Sequence, residues 1–485
     1  MRVETMGVNA RRTRGWAAVA LVVVAACARN PVTGKSQLSL ISESQEIAMG
    51  RQAAEETRRS IGLVDDPELQ AYVQRIGMAM AAKSERPGLP WSFQVVDDPA
   101  VNAFALPGGF IFVTRGILTH LNSEAELASV IGHEIGHVTA KHSVAMISRA
   151  QVAQLGLGVG MIFSEELRRY GQLATAGLSL LFLKFGRDAE NQADDLGFRY
   201  SLDAGYDVRE MADVFVTLQR VSETSQQGRL PEWLSTHPNP ENRVEKTRER
   251  LAKLDRPLEG TVTDETEYLR RIEGLTFGEN PRNGFFRGSL FLHPDLRFQL
   301  ELPSGWKAQN LAQAVVAVSP DQDAAIQLTL AGQEPPQAAA QRFLSQQGIR
   351  AGRSASETVN GIPAVSSYFQ AQTEQGPVAG LVTFLSYGGT TYQLLGYTAA
   401  QALDRYDATF RRSFASFRSL EDPEALAVRP DRVKLERVPR PMTLAEFNRQ
   451  FPSVVPIEQL ALVNQLAGAD ASLPAGRLVK RVIKG

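Results

Sequence analysis

The sequence predicts a multidomain α+β protein: a mainly helical domain with a small β-sheet, then an α+β domain, then a small βααβ domain. Three observations support this division. A length of 485 residues is enough for about two to four domains. Apolar residues recur at helical spacing in much of the first half, but from about residue 288 they alternate with a period of two. A charged, proline-bearing stretch, 421–441, then precedes the last segment, 442–485.

The composition narrows the classes of partner. Hydrophobic residues make up 43% and charged residues 22% of the chain, which is ordinary for globular protein. The formal net charge of -1 provides no basic field, so nucleic acid is not expected as a partner. The chain has one cysteine, which excludes an intrachain disulfide and a zinc site built from cysteines.

That cysteine, Cys27, follows a segment typical of an exported bacterial lipoprotein. Arginines precede the apolar run 16–26, which is too short to span a bilayer. The run ends Val24-Ala25-Ala26-Cys27 and resembles a lipobox, although leucine usually stands where Val24 does. We expect residues 1–26 to be a signal peptide and Cys27 to carry lipid; the alternative is an ordinary signal peptide with an incidental cysteine. Because Ala28 is not aspartate, the expected location is the periplasmic face of the outer membrane.

The next hundred residues contain helices followed by short strands. Helical periodicity predicts helices over 42–60 and 66–82, the second with an apolar face. Strand-like runs follow at 93–96 and 110–113, separated by a Pro-Gly-Gly turn. A further strand piece, Asn102–Ala105, is expected to lie beside the helix that comes next.

The motif that carries chemistry lies in the predicted helix 123–150. Ser123, followed three residues later by glutamate, is typical of a capping box at a helix start. His133 and His137 are four residues apart and therefore share a helix face, and Glu134 lies next to the first of them. This is the H-E-x-x-H pattern of two zinc ligands and a general base. With only 6 histidines in 485 residues, a chance match is improbable.

A catalytic zinc site usually needs a third protein ligand. The extended motif H-E-x-x-H-x-x-G-x-x-H is excluded because Ala140 and Ser143 occupy its last two defined positions. His142, five residues after the second histidine, is expected to point away from the ligand face. Glu190 and Asp194 share a face of a later helix, so one can bind zinc while the other orients a ligand histidine. Alone, this pair could equally be a solvated helix face.

Together with four further stretches, these two helices resemble the M48 family of zinc metallopeptidases, in its periplasmic lipoprotein branch. The stretches are Asn30-Pro31-Val32-Thr33-Gly34 with Leu38-Ser39-Leu40, Asn102 to Gly109, Arg187 to Asp194, and Ser235-Thr236-His237-Pro238 with Arg243. The match covers about residues 30–255. The resemblance implies a mainly helical gluzincin-type peptidase domain over 27–280 that binds one Zn²⁺ per chain.

The resemblance also assigns roles to the residues. It implies that His133, His137 and Glu190 hold the zinc, that Asp194 lies behind a ligand histidine, and that Glu134 is the base. It further implies that Asn102, His237 and Arg243 face the substrate carbonyl and stabilise the oxyanion, and that His237 can also close the zinc site. The alternative for His237 is a purely structural place before the helix predicted over 240–254.

The remaining segments are assigned more coarsely. The apolar stretch 151–185 is expected to be a buried or membrane-proximal helical hairpin, not a membrane span. Residues 288–420 are expected to form an α+β domain that vaguely resembles Mog1/PsbP-like folds. The tail 442–485 resembles a LysM module through Thr443-Leu444, residues 462–466 and residues 474–480. Such modules bind peptidoglycan; the alternative is a small packing domain.

The expected function is a zinc-dependent metalloendopeptidase of the bacterial envelope. Its expected partners are misfolded or stalled envelope proteins as substrates, the membrane through lipidated Cys27, and peptidoglycan through residues 442–485. The rival class is a non-catalytic lipoprotein chaperone or a peptidoglycan-tethered scaffold for outer-membrane assembly. The intact motif at His133, Glu134 and His137 argues against that class.

Overall fold

The structure, a computed structural model, describes residues 27–156, 185–224, 233, 237, 240–311, 313–373 and 376–485. The predicted signal peptide and most of the predicted hairpin 151–185 lie outside these ranges. The described residues divide into two units. The first contains the residues up to Gly278 together with Arg432–Ile483, and the second contains Glu279–Asp431 with Lys484–Gly485.

The first unit begins with a hairpin and two capped helices. Its elements are β1 (Cys27–Arg29), β2 (Ser36–Leu38), α1 (Glu43–Ser60) and α2 (Pro67–Ala81). Ser42 and Gln45 form a reciprocal capping box at the start of α1, and Asp66 caps α2. Both predicted helices are confirmed to within one residue, and the apolar face of α2 is buried as predicted.

A three-stranded sheet follows, as predicted, from β3 (Ser92–Val96), β4 (Ala103–Leu106) and β5 (Phe110–Thr114). Its strand order is β3-β5-β4, with β3 parallel and β4 antiparallel to the central strand. The strand predicted to begin at Asn102 begins one residue later, and it lies at the sheet edge.

The helix predicted over 123–150 is two helices, so that prediction is wrong. The elements here are α3 (Arg115–His120), α4 (Glu124–Thr139) and α5 (His142–Gly156). Lys141 adopts a left-handed conformation with φ of 58° and separates the last two. Asn30 Nδ2 donates to Ala140 O at 3.0 Å and Gln37 Nε2 donates to Lys141 O at 3.3 Å. The N-terminal hairpin therefore satisfies carbonyls that a helix end leaves without partners.

The helical part of the first unit is completed by α6 (Arg187–Asp203), α7 (Glu210–Thr224), α8 (Pro240–Ala252) and α9 (Glu265–Ile272). The helix predicted over 240–254 is confirmed to within two residues. Among the described helices, none combines the length and apolar character that a membrane span requires.

The second unit contains both helices and strands and covers Glu279–Asp431, whereas the α+β domain is expected over 288–420. Its elements are β6 (Phe285–Arg287), β7 (Leu290–His293), β8 (Phe298–Glu301), β9 (Lys307–Asn310), β10 (Val315–Val318), β11 (Ala324–Gly332), α10 (Pro336–Leu344), β12 (Ile349–Val359), β13 (Ile362–Thr373), β14 (Gly376–Tyr387), β15 (Thr390–Ala399), α11 (Leu403–Ala415), β16 (Arg418–Ser419) and α12 (Pro423–Leu426). The strands form an antiparallel seven-stranded sheet, β12-β13-β14-β15-β11-β10-β9, and a four-stranded sheet, β16-β8-β7-β6. Buried and less buried residues alternate along most of β15, as the period-two pattern predicts, whereas β8 and the first half of β11 are buried at successive residues.

Residues 432–483, which we call the C-terminal module, return to the first unit. They form β17 (Arg432–Arg437), β18 (Met442–Thr443), α13 (Leu444–Gln450), α14 (Ile457–Val463), β19 (Ser472–Leu473) and β20 (Leu478–Ile483). The prediction of a linker over 421–441 is wrong, because α12 and β17 lie within it and β17 pairs antiparallel with β20. The charged residues of β17 resemble a linker in sequence, and only its partner strand makes it a strand. The LysM resemblance stays a prediction.

Candidate metal centre

Two helices bring the predicted ligands together by a close backbone contact. A Cβ atom on Gly136 of α4 would lie 2.9 Å from Ala193 O of α6. A Cβ atom on Gly197 of α6 would lie 2.8 Å from the backbone nitrogen of His133. Glycine at these positions lets the two backbones touch, which explains the glycine inside the H-E-x-x-H motif.

The contact assembles a group of four buried side chains, His133, His137, Glu190 and His237, whose ligand atoms all lie within 4.8 Å of one another. His133 Nε2 lies 3.0 Å from His137 Nε2 and 3.3 Å from His237 Nδ1. Glu190 Oε1 lies 3.5 Å from His137 Nε2 and 3.0 Å from His237 Nδ1. Ligand atoms on one tetrahedral zinc ion are about 3.3 Å apart, so these distances fit zinc.

The hydrogen bonds behind the histidines fix which nitrogen faces the centre. His133 Nδ1 donates to Asp194 Oδ1 at 2.9 Å, which leaves its Nε2 with a lone pair. His142 Nε2 donates to Gln192 Oε1 at 3.0 Å, so its Nδ1 accepts from His137 Nδ1 at 2.9 Å. The two facing Nε2 atoms are then both unprotonated, an arrangement that repels unless a cation lies between them.

Burial favours these neutral forms. Desolvation lowers the pKa of His133 to about 4 and lowers that of His137 well below its usual value. Burial would raise the pKa of Asp194, but the adjacent Arg243 and His133 outweigh it and lower the pKa. Histidine binds a metal ion in its neutral form, and this is the form that burial favours here.

Sequence analysis missed the role of His142. In one regular helix His142 would point away from the ligand face. Because the helix ends at Lys141 and a new one starts, the ring of His142 instead contacts His137. Phe185 stacks on the ring of His137, with ring centroids 4.1 Å apart. The local sequence around 140–142 carries no signal for this turn. His142 lies outside the four-residue group that could hold a metal ion, and it orients one member of that group.

Glu134 is held beside the centre with a free oxygen. Its side chain is 1% exposed, and a backbone N–H of Ala105 in β4 donates to it. Within the described part of the chain, its Oε1 has no hydrogen-bond partner and lies 3.7 Å from His237 Nε2. Burial raises the pKa of Glu134 to about 7. A carboxyl group with this pKa can accept and return a proton near neutral pH.

The three residues expected at the oxyanion have different surroundings. His237 is part of the four-residue group, and its ring stacks on Trp233 with centroids 4.8 Å apart. Arg243 donates from Nε to Asp194 Oδ2 at 2.8 Å and lies against the rings of Phe215 and Trp233. These contacts position Asp194. Asn102 is buried just before β4, and its Oδ1 has no partner among the described residues. The oxyanion roles stay predictions.

The helix contact gives a first testable prediction. Gly197→Ala should weaken zinc binding, because its Cβ would push α6 away from the backbone of His133 and move Glu190 and Asp194. Changes behind a zinc ligand typically cost about 10- to 100-fold in metal affinity. Competition with a zinc chelator measures the effect.

The matched control is Gly186→Ala, because Gly186 precedes the same helix and, apart from its chain neighbours, no atom of the described residues lies within 4 Å of the added Cβ. This control should keep the zinc affinity of the unmodified protein. Equal zinc affinity in both variants would show that the glycine contact does not set the ligand geometry.

The part of the chain that contains this site is similar in sequence to known proteins. Residues 67–251 match the sequence profile of Peptidase family M48. The beta-barrel assembly-enhancing protease of Yersinia pestis is 31% identical over 233 residues, which cover 46% of this chain and 47% of that protein. The mitochondrial metalloendopeptidase OMA1 of Arabidopsis thaliana is 34% identical over 181 residues, or 37% of this chain and 36% of that protein. The chain thus spans about half the length, or less, of these relatives.

Among solved structures, cyanobacterial PsbP from Synechocystis sp. PCC 6803 covers 28% of this chain and 94% of its own, at 14% identity. The TM-score is 0.24, too low to assign a fold. The Mog1/PsbP-like assignment of the second unit therefore stays a prediction.

Proposed function

We propose that the chain is a zinc metalloendopeptidase of the bacterial cell envelope, and that residues 67–251, which match the profile of Peptidase family M48, form its peptidase domain. One observation carries the activity: His133, His137 and Glu190 present three metal ligands, and Glu134 Oε1, which has no hydrogen-bond partner among the described residues, lies 3.7 Å from His237 of the same group. Three ligands with an adjacent base are the requirements of a hydrolytic zinc site.

The roles of the side chains follow from their contacts. Zinc held by these residues would act as a Lewis acid: it would polarise the peptide carbonyl and lower the pKa of water, so that Glu134 can deprotonate it. Asp194 and His142 hold the two ligand histidines in the tautomers that bind metal. Glu134 Oε1 takes the proton of the attacking water and returns it to the leaving nitrogen. The edge strand β4, whose Ala105 contacts Glu134, is placed to pair with an extended peptide.

Two measurements on the purified full chain test this activity. The zinc content should be one ion per chain, and unfolded casein should be cleaved in a chelator-sensitive manner. A zinc-loaded, folded protein that leaves casein intact would instead favour the rival function, a non-catalytic lipoprotein chaperone or scaffold.

The proposed substrates are misfolded or stalled envelope proteins. Support comes from the relatives named beta-barrel assembly-enhancing protease in Yersinia pestis and Escherichia coli, and from the export signal expected at residues 1–26. The Glu134→Gln variant, crosslinked in cells, should retain envelope proteins that the Glu134→Gln/His133→Ala variant does not. Equal recovery from both would contradict a substrate relation.

The proposed location is the periplasmic side of the outer membrane, with Cys27 as the lipid anchor. Cys27→Ser should leave the protein unlipidated and shift it from the membrane to the soluble periplasmic fraction, because one removed thiol leaves no acylation site in the chain. Membrane fractionation with immunoblotting measures the shift. An unchanged outer-membrane fraction would overturn the anchor.

Peptidoglycan is the proposed partner of residues 442–485, on the strength of their LysM-like sequence. The full chain should sediment with purified peptidoglycan, and a variant altered in the second unit should do so equally. Absence of cosedimentation would leave the tail as a packing domain.

A further inference from the structure

The C-terminal module inserts a lysine into the peptidase part of the first unit. Lys480 of β20 is 1% exposed, and its Nζ donates to Thr119 O at 2.9 Å and to Leu121 O at 2.7 Å. These carbonyls belong to the end of α3, where helix carbonyls lack partners and a cation is favourable. Lysine is almost never fully buried unless it is paired, so this placement needs an explanation.

The lysine acts on the peptide group that leads into α4. The carbonyl of Leu121 accepts from Lys480, and the N–H of the next residue, Asn122, donates to Glu126 Oε2 at 2.6 Å. One peptide group therefore lies between a buried amine and a buried carboxyl group, with its dipole aligned to both. Ser123, the N-cap of α4, follows immediately.

The module holds Lys480 rigidly. Asn464 accepts from the backbone nitrogen of Lys480 at 2.8 Å and donates to its carbonyl at 2.9 Å. Asn122 Nδ2 donates to Val463 O at 3.3 Å, and an apolar cluster joins Phe277 to residues 433, 463 and 482 of the module. The amine therefore cannot swing away without displacing the strand.

The far end of α4 is fixed as well. Arg86, paired with Glu46, donates to Val138 O at 3.0 Å, and Asn30 donates to Ala140 O. From Glu126 to His133 is about 10 Å along the helix, at about 1.5 Å per residue. Because both ends of α4 are held by these contacts, a displacement of its N-terminal end is expected to displace the ligand histidines.

We propose that the C-terminal module is required for peptidase activity. In this proposal Lys480 is a positioning residue that fixes where α4 begins, and thereby the positions of His133, Glu134 and His137. This proposal rests on the proposed peptidase activity. This role of the module does not depend on peptidoglycan binding, because Lys480 is buried against the peptidase part of the same chain.

The test is Lys480→Met in the full chain, compared with Lys434→Met. Lys434 lies on the paired strand β17, where it is half exposed and ion-paired with Glu273. For folded, zinc-loaded protein we expect Lys480→Met to lose about 10- to 100-fold in kcat, with KM within about twofold, because ligands and base are misplaced. Lys434→Met should match the unmodified protein. Unchanged kcat in folded Lys480→Met would overturn the proposal.

A double variant separates positioning from plain stabilisation. Lys480→Met alone leaves Glu126 buried without its nearby amine, so it could fail to fold. Lys480→Met/Glu126→Gln removes both ionisable groups and should recover the melting temperature while kcat stays reduced. Full recovery of kcat would show that the lysine only stabilises the fold and would overturn the proposal.

Zinc affinity gives a readout that does not depend on catalysis. Chelator competition should show weaker zinc binding in the double variant than in Lys434→Met, and equal affinities would contradict the proposal. If the unmodified chain bound zinc but cleaved nothing, the proposed function would fail, and this affinity comparison would still decide the role of Lys480.

Discussion

Replacing Glu134 by glutamine should abolish peptide cleavage and leave zinc content and fold intact. Glutamine has the same size and can still accept the N–H of Ala105, so the surroundings of the side chain are preserved. It cannot take a proton from the attacking water, and loss of a general base typically costs about 10²- to 10⁴-fold in rate. Casein cleavage, measured at equal zinc per chain, gives the rate.

Glu190→Gln is the matched control. It is the same chemical change in a second buried carboxylate, but Glu190 faces the ligand histidines at 3.5–3.6 Å, so this variant should lose zinc. Glu134→Gln should lose activity and keep zinc, whereas Glu190→Gln should lose both. This difference distinguishes the general base from a zinc ligand. A purified Glu134→Gln protein that cleaves at the unmodified rate would refute the mechanism.

His237→Ala should lower the turnover of a short unstructured peptide and increase self-cleavage. In the structure His237 belongs to the four-residue group, with Nδ1 3.0 Å from Glu190 Oε1 and Nε2 3.7 Å from Glu134 Oε1. Its removal takes away a donor at the reaction centre, which typically costs about 10²- to 10³-fold in turnover. It also opens the position that the ring occupies, so folded neighbours and the enzyme itself gain access.

The comparison needs equal zinc occupancy in all proteins. Peptide turnover is measured beside autolysis on a gel, with His293→Ala as a control, because His293 lies in the second unit and accepts a backbone N–H from Leu296. His293→Ala should match the unmodified protein in both assays. If His237→Ala also matches it in both, His237 is only a structural residue before α8.

The sequence by itself determined the parts of the site that lie within one helix turn. The spacing of His133, Glu134 and His137 places them on one face whatever surrounds the helix, because the periodicity is a property of the backbone. The same reasoning paired Glu190 with Asp194. The capping residue Ser123 also located the start of α4, since its hydrogen bond to the backbone of Glu126 joins residues only three apart.

Packing decided everything that depends on contacts distant in sequence. The break at Lys141 forms where the N-terminal hairpin reaches Ala140 and Lys141 across more than a hundred residues, and it turns His142 back to His137. No local pattern marks this break, because alanine and lysine are good helix formers.

The C-terminal module shows the same limit. In sequence, residues 432–437 are charged and resemble a linker; in the fold they form a strand, because β20 supplies the missing hydrogen bonds. In sequence Lys480 is an ordinary strand lysine; in the fold its Nζ donates hydrogen bonds to the carbonyls of Thr119 and Leu121, about 360 residues away. The sequence determined which chemistry the chain carries, because ligand spacing is local. The tertiary structure decided how that chemistry is held in place, because the supporting contacts exist only once distant segments pack.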